Sequence, residues 1–125
     1  MAQILIMEDE EILLELYSLF LQKSGHNIFI ASDGREGLQK LQHFRNEIDL
    51  VILDLLLPKS DGFSIFTEIR TKIDEKMPVI IITGLPETKN SVALTECGPT
   101  TILNKPFSRD QLIETVTALL SKIDR

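Results

Sequence analysis

Five short apolar runs, each followed by a longer segment, constrain the fold of this chain more than any other feature. The runs are rich in β-branched residues and are bounded by polar, Gly or Pro residues. They are Ile4–Met7, Ile28–Ala31, Leu50–Leu53, Val79–Ile82 and Thr101–Leu103. Short continuous apolar runs of this kind predict strands that are buried on both faces, as in a parallel sheet.

The segments between and after these runs predict helices. Four of them show helical spacing of apolar residues: Glu11–Ser24, Arg35–Phe44, Phe63–Lys72 and Gln111–Ile123. Asp33 or Ser32 is a candidate cap of the second helix, and Ser108 with Gln111 forms a capping-box pattern before the last one. The remaining segment, Glu87–Cys97, is the weakest helix prediction because its apolar residues are consecutive and form no stripe.

A strand–helix unit repeated five times predicts an α/β fold with a doubly wound parallel sheet. Right-handed crossovers then place helices on both faces of the sheet. With five strands, we expect the flavodoxin-like (βα)5 strand order 2-1-3-4-5. Ligands in such folds bind beyond the carboxyl ends of the strands, at the switch between the first strand and the third.

Composition narrows the possible functions. A chain of 125 residues predicts one domain over residues 1–125, and 43% apolar with 26% charged residues is typical of a globular protein. The net charge of −6 argues against direct binding to nucleic acid or to an anionic membrane, but it allows metal cations and basic partners. The single Cys97 permits neither an internal disulfide nor a cysteine zinc site, and we expect it to be a packing residue. With no targeting or membrane-spanning pattern, we expect a cytoplasmic location.

One acidic residue stands inside an apolar run, in the stretch "VILDLLLPKSDG" from Val51 to Gly62. Burying an isolated carboxylate costs several kcal/mol, so Asp54 needs a partner or a route to the surface. As the last residue of the third strand, Asp54 is expected to emerge at the switch-point crevice. The alternative is a purely structural role, in which Asp54 only ends a strand and caps a turn.

The ends of three other predicted strands also carry charged or hydroxyl side chains. Glu8 and Asp9 follow the first strand, Thr83 ends the fourth and Lys105 follows the fifth. Because clustered carboxylates raise one another's pKa unless a cation relieves them, this edge of the sheet predicts a Mg²⁺ site. An ionised Asp54 in such a pocket is a candidate nucleophile toward a phosphoryl group. Alternatively, the acids after the first strand only favour the start of a helix.

In these motifs the chain resembles response-regulator receiver domains over nearly all of its length. The motifs are "ILIMEDEE" after the first strand, "DLLLPKSDG" at the third, "IIITG" at the fourth and "NKPF" at the fifth. The resemblance implies that Asp54 accepts a phosphoryl group from a phosphohistidine on a histidine kinase or phosphotransfer protein. It also implies a cis peptide bond between Lys105 and Pro106.

The resemblance also implies roles for the neighbouring residues. Asp9 and Asp54 would bind Mg²⁺ together with the backbone carbonyl of Leu56, and Glu8 stands at the family's first acidic position. Thr83 would be the switch hydroxyl and Lys105 the lysine that contacts the phosphoryl oxygens. The domain would act as a phosphorylated signalling module and not as an enzyme.

Three positions depart from the family pattern. Glu8 replaces the usual Asp, Ile102 replaces the frequent aromatic residue, and Leu56 is apolar where polar residues are common. Since a β-branched side chain is stiff at χ1, we expect Ile102 to change little on phosphorylation. The expected output surface is therefore Glu87–Cys97 with the fifth strand and the last helix.

Three other functions remain open at this stage. A flavin-binding electron carrier on the same fold needs a phosphate-cradling loop after the first strand, where this chain is acidic. An aspartate-nucleophile phosphatase usually carries a second acid at the position of Leu56. A degenerate receiver that only binds partners would lack one of Asp9, Asp54, Thr83 or Lys105, and all four are present.

Overall fold

The computed structural model describes residues 2–57, 61–84 and 93–122. Its centre is a five-stranded sheet in the order β2-β1-β3-β4-β5, in which every neighbouring pair is parallel. The strands are β1 (Gln3–Met7), β2 (Asn27–Ala31), β3 (Leu50–Asp54), β4 (Val79–Thr83) and β5 (Thr100–Asn104). The predicted flavodoxin-like α/β fold and its strand order are therefore confirmed.

Four helices have both ends in the described part of the chain. They are α1 (Glu11–Lys23), α2 (Gly34–His43), α3 (Gly62–Glu68) and α4 (Arg109–Ser121). The predicted third helix changes its hydrogen bonding along its length, because α3 continues as a π-helical turn over Ile69–Ile73. Most of the predicted helix Glu87–Cys97 lies outside the described residues, and within it residues 93–95 are helical. No described helix has both the length and the apolar character needed to cross a membrane.

Side-chain caps fix where the helices begin. Asp33 caps α2 by accepting a hydrogen bond from the backbone N–H of Glu36 at 2.8 Å. Before α4, the Ser108 hydroxyl accepts from the Gln111 N–H, and the Gln111 side chain accepts from the Ser108 N–H. The predicted capping box is confirmed, and it satisfies two backbone donors that a helix start otherwise leaves unpaired.

The sheet has an apolar core on each face. On one face α1 and α4 contribute Leu14, Tyr17, Leu21, Leu112, Val116 and Leu119 to the core. On the other face α2, α3 and the π-helical turn contribute Leu41, Ile65, Phe66, Ile69 and Ile73. The three central strands are almost completely buried between these layers, so the ends of these strands are held rigidly.

A buried arginine ties the layers together at the amino ends of β4 and β5. Arg70 donates hydrogen bonds to the carbonyl oxygens of Met77 at 2.5 Å and Pro99 at 2.9 Å, and to the Thr100 hydroxyl at 2.8 Å. Its guanidinium carbon lies 5.2 Å from the centre of the Phe66 ring. Burial lowers the pKa of Arg70, and the negative charge of Asp74 partly offsets this by raising it.

The packing role expected for Cys97 is wrong. Its thiol is exposed and donates to the carbonyl oxygen of Ala93 at 3.3 Å. The residue follows the short helical stretch 93–95 and precedes Gly98, where the chain turns toward β5 with a positive φ of 80°. A single cysteine shows no periodicity, so the sequence pattern could not distinguish a turn from the core.

Candidate functional site

Asp54 is the last residue of β3 and lies at the carboxyl edge of the sheet, as predicted. Its carboxylate is nevertheless almost completely covered, with 3% of the residue exposed. One carboxylate oxygen, Oδ1, accepts a hydrogen bond from the backbone N–H of Leu56 at 2.8 Å. The other, Oδ2, lies 2.8 Å from Nζ of Lys105. These two contacts fix the orientation of the carboxylate.

Glu8 is a second buried carboxylate at the same edge, with 1% of the residue exposed. Its Oε2 accepts from the backbone N–H of Glu10 at 3.2 Å, and its Oε1 lies 3.7 Å from Nζ of Lys105. Within the described residues, Oε1 has no hydrogen-bond partner. The pKa of Glu8 is raised to about 7, chiefly by burial; the Glu10 N–H opposes this rise, and the negative charge of Asp54 contributes to it.

Glu8, Asp9 and Asp54 form a cluster that fits a metal ion. Each offers one carboxylate oxygen, and these oxygens all lie within 4.8 Å of one another. Asp9 is exposed, so an ion can reach the cluster from solvent. The unpartnered oxygen of Glu8 and the excess of carboxylates over ammonium groups suit a hard divalent cation with oxygen ligands.

Lys105 reaches the cluster from the chain that follows β5. Its backbone N–H donates to the Thr83 carbonyl at 2.8 Å, and the peptide bond to Pro106 is cis, which confirms that prediction. Burial lowers the pKa of Lys105, but its hydrogen bond to Asp54 and the charges of Asp54 and Glu8 raise it more. The pKa is therefore higher than usual, and the side chain carries its charge at neutral pH.

Thr83 and Leu56, the other predicted site residues, lie at the same edge. Thr83 ends β4 and is 3% exposed; the residue before it, Ile82, pairs with Asp54 in the sheet. The backbone N–H of Leu56 contacts Asp54, whereas the residue as a whole is 62% exposed. The fold therefore brings the strand ends of β1, β3, β4 and β5 to one pocket.

A close backbone approach shapes the loop after β3. The N–H of Gly62 donates to the Leu55 carbonyl at 3.2 Å. A Cβ atom at Gly62 would lie 2.4 Å from the Leu55 Cα atom, so only glycine fits there. This contact holds the chain directly after Asp54 against the start of α3.

Sequence reasoning missed Tyr17 as part of this environment. Tyr17 lies on α1, is 5% exposed, and its ring packs 5.3 Å from that of Phe107. Burial raises its pKa, the positive charge of Lys105 lowers it, and the charges of Glu8 and Asp54 raise it. At helical spacing within an apolar stripe, a tyrosine is indistinguishable from an ordinary core residue until the helix is docked.

Comparison with known proteins identifies the class of protein that this fold and pocket define. The family model for the response regulator receiver domain matches residues 4–117, and the chain belongs to this family. It is 36% identical to the transcriptional regulatory protein GlrR of Escherichia coli over 97% of the chain, and 37% identical to the response regulator ArlR of Staphylococcus aureus over 98% of the chain. The matched regions are 27% of GlrR and 54% of ArlR, so the chain spans between about a quarter and half of these relatives.

Solved structures show the same fold. A receiver domain protein from Clostridium thermocellum superposes with a TM-score of 0.87 at 32% identity, covering 98% of this chain and 96% of that one. The chemotaxis response regulator CheY4 of Vibrio cholerae gives a TM-score of 0.86 at 28% identity, covering 95% of this chain and 98% of that one. The predicted family is confirmed, and its general function is phosphoacceptance in two-component signalling.

Proposed function

We propose that Asp54 of this chain accepts a phosphoryl group from a phosphohistidine on a histidine kinase or phosphotransfer protein. The observation that carries this proposal is the setting of the Asp54 carboxylate. It is held between the Leu56 N–H and the Lys105 ammonium, 2.8 Å from each, beside the carboxylates of Glu8 and Asp9. A structural strand-end Asp has no need of such an arrangement.

In the proposed reaction an oxygen of Asp54 attacks the phosphorus of the phosphohistidine. An O–P bond forms and the P–N bond breaks, and the imidazole nitrogen leaves with the electron pair and takes a proton from solvent. The product on this chain is an aspartyl phosphate. The relatives are named as regulators, and we infer a signalling role in which one phosphoryl group is held and lost, without turnover of free substrates.

Mg²⁺ would be held by Asp9, Asp54 and the backbone carbonyl of Leu56, with Glu8 in the same cluster. A bound Mg²⁺ supplies positive charge that neutralises the developing charge on phosphoryl oxygens. The longer side chain of Glu8, relative to the usual Asp, brings a buried carboxylate oxygen within 4.8 Å of the oxygens offered by Asp9 and Asp54. Its Oε1, which has no hydrogen-bond partner among the described residues, would then be an oxygen ligand of the ion.

Lys105 and Thr83 would contact the phosphoryl group after transfer. The Lys105 ammonium already lies 2.8 Å from Oδ2 of Asp54, so a phosphoryl group on that carboxylate falls within its reach. Thr83 ends the neighbouring strand at the same edge and can supply its hydroxyl to a phosphoryl oxygen. Together they position the charged group and screen it from the remaining carboxylates.

Intact-mass measurement after treatment with phosphoramidate and Mg²⁺ tests the acceptor. Phosphoramidate is a suitable donor because it carries the same type of P–N bond as phosphohistidine. We expect one acid-stable, base-labile phosphoryl group that requires Mg²⁺ and is absent in Asp54→Asn. Labelling that persists in Asp54→Asn would overturn the assignment, and multiple turnover of a phosphomonoester would indicate a phosphatase instead.

A matched pair of variants tests the metal site. Asp9→Asn removes a carboxylate from the cluster, whereas Glu10→Gln removes an exposed carboxylate in the same turn. We expect Asp9→Asn to weaken Mg²⁺ binding at least about tenfold, as is typical for the loss of a charged ligand group, and Glu10→Gln to change it little. Equal effects would show that these acids only charge the start of α1.

We further infer that residues 1–125 act as one receiver domain whose output is a protein surface, without direct contact to nucleic acid. The proposed surface is Glu87–Cys97 with β5 and α4. Ile102 in β5 is half-buried and packs against the core, which supports the expectation that it moves little. Chemical-shift mapping with beryllofluoride should place the largest remote changes in Gly84–Cys97; changes concentrated in α1 would place the output elsewhere.

A further inference from the structure

An apolar groove lies between α1 and the outer edge of β2, and one of its rim residues, Asp9, also belongs to the proposed phosphoryl-acceptor pocket. Its volume is about 740 Å³. Its apolar walls are formed by Leu14 and Leu19 of α1 and by Ile28 and Ile30 of β2. Leu19 is 47% exposed and Ile30 is 45% exposed, so adjacent elements both present large aliphatic side chains to solvent at this groove.

The groove exists because the two faces of β2 are covered unequally. Alternation along the strand directs Phe29 to the side of α2, where its ring packs 4.9 Å from that of Phe44. Ile28 and Ile30 point to the side of α1. Ile28 packs against the core there, but Ile30 stays open to solvent at the carboxyl end of the strand. An apolar surface is thus left over where the layer of helices stops.

The edge of β2 is a poor template for another strand at this point. The Lys40 ammonium donates a hydrogen bond to the Ile30 carbonyl oxygen and also pairs with Glu36 at 3.2 Å. A charged lysine on an edge strand is a common barrier to strand addition. An occupant that covers Ile30 must therefore approach the face of the sheet with side chains, as a helix does.

The rim of the groove is acidic. Asp9, Glu11 and Glu15 line it together with polar residues, and Glu11 and Glu15 are exposed on successive turns of α1. Neither of these two glutamates is in a salt bridge with any residue that the structure describes. A second copy of this acidic chain would bring like charges together, and phosphate-bearing surfaces would be repelled in the same way.

We propose that this groove binds an amphipathic helix of a partner protein, with an apolar ridge flanked by Lys or Arg. The ridge would cover Leu19 and Ile30, and the basic residues would pair with Glu11 and Glu15. Helix-in-groove recognition uses this combination of apolar anchors and a charged rim.

The probe is a designed helical peptide with a leucine ridge flanked by lysines, and its matched control carries glutamates in place of the lysines. Binding to the full chain is followed by fluorescence anisotropy and by amide chemical shifts. We expect the lysine peptide to bind, to bind more weakly as salt is added, and to shift the amides around Leu19, Ile28 and Ile30. The glutamate peptide should not bind.

Two pairs of variants locate the contact. Ile30→Ser and Glu15→Lys change the wall and the rim, and each should weaken binding roughly tenfold, as loss of a central anchor or a charge pair does. Ile12→Ser and Glu114→Lys change exposed residues of the same types outside the groove, and they should leave binding unchanged. Absence of binding, equal binding of both peptides, or equal weakening by the control variants would overturn the proposal.

Discussion

The two edges of the sheet both bury charged side chains, but they treat them in opposite ways. At the carboxyl edge, Glu8 and Asp54 share the single ammonium of Lys105, and one oxygen of Glu8 has no hydrogen-bond partner in the described part of the chain. At the amino edge, the two terminal nitrogens of Arg70 donate to carbonyl oxygens and a hydroxyl, and an aromatic ring lies beside the guanidinium, while Nε has no hydrogen-bond partner among the described residues. The carboxyl edge therefore holds excess negative charge, whereas at the amino edge carbonyl and hydroxyl dipoles stabilise the positive charge of Arg70.

This difference separates a site from a structural clamp. A single buried charge whose hydrogen bonds go mainly to fixed dipoles costs stability when its partners are lost, and it does not repel a neighbouring charge that a ligand would have to offset. Burial and the nearby charge of Asp54 raise the pKa of Glu8, and a metal ion would relieve the repulsion between these carboxylates. An excess of like charge, rather than burial or a single unpartnered atom, therefore distinguishes the carboxyl edge as the candidate site.

The largest expected effect breaks the clamp at the amino edge. Arg70→Leu leaves the carbonyl oxygens of Met77 and Pro99 without their donor, and we expect the free energy of unfolding to fall by about 3 kcal/mol. Urea denaturation measures the change. The same substitution at the exposed Arg45 should cost less than about 0.5 kcal/mol. If Mg²⁺ binding fell together with stability, the two edges would not be independent.

A smaller loss is expected from Gly98→Ala at the same edge. Gly98 has φ 80°, and a Cβ atom there would lie 2.6 Å from the Glu75 carbonyl oxygen. The left-handed conformation and the overlap together should cost about 2 kcal/mol. Gly25 has φ 94° with nothing within 4 Å of a Cβ, so Gly25→Ala isolates the conformational part, about 1 kcal/mol. Equal losses would show that the overlap relaxes without cost.

Mg²⁺ should act on the carboxyl edge alone. At roughly ten times its Kd, a ligand that binds only the folded state raises the free energy of unfolding by about 1.4 kcal/mol. We expect this gain in the natural chain and in Arg70→Leu, but not in Asp54→Asn. Thermal unfolding with and without Mg²⁺ provides the comparison. A gain that survives in Asp54→Asn would place the ion elsewhere.

The smallest expected effect is the change in stability caused by Glu8→Gln, measured in the presence of a chelator so that no Mg²⁺ is bound. Because the folded chain raises the pKa of Glu8 from 4.5 to about 7, it binds more protons than the unfolded chain in that range, and stability falls as pH rises through it. Glu8→Gln removes this loss, so we expect it to be more stable than the natural chain by on the order of 1 kcal/mol near pH 8. The difference should shrink toward pH 5, and Glu10→Gln should show no such trend.

Much of the carboxyl edge follows from local sequence patterns. The alternation of apolar runs and helical segments predicted the sheet and its strand order, because burial on two faces leaves a mark in each strand separately. The positions of Asp54 and Thr83 at strand ends and the Ser108 capping box were predicted from neighbouring residues. The cis bond before Pro106 was predicted from the resemblance to receiver domains. The roles of the site residues in phosphoryl transfer and metal binding stay predictions.

The amino edge and the compensation of charge were decided only by tertiary structure. Nothing in the sequence around Arg70 marks its carbonyl partners, since they come from the turn before β4 and the start of β5. The unpartnered oxygen of Glu8, the place of Tyr17 beside the pocket and the open groove at Ile30 likewise depend on how helices dock on the sheet. Periodicity states which side of an element is buried, but whether a buried charge finds enough partners depends on distances between elements that are far apart in the chain.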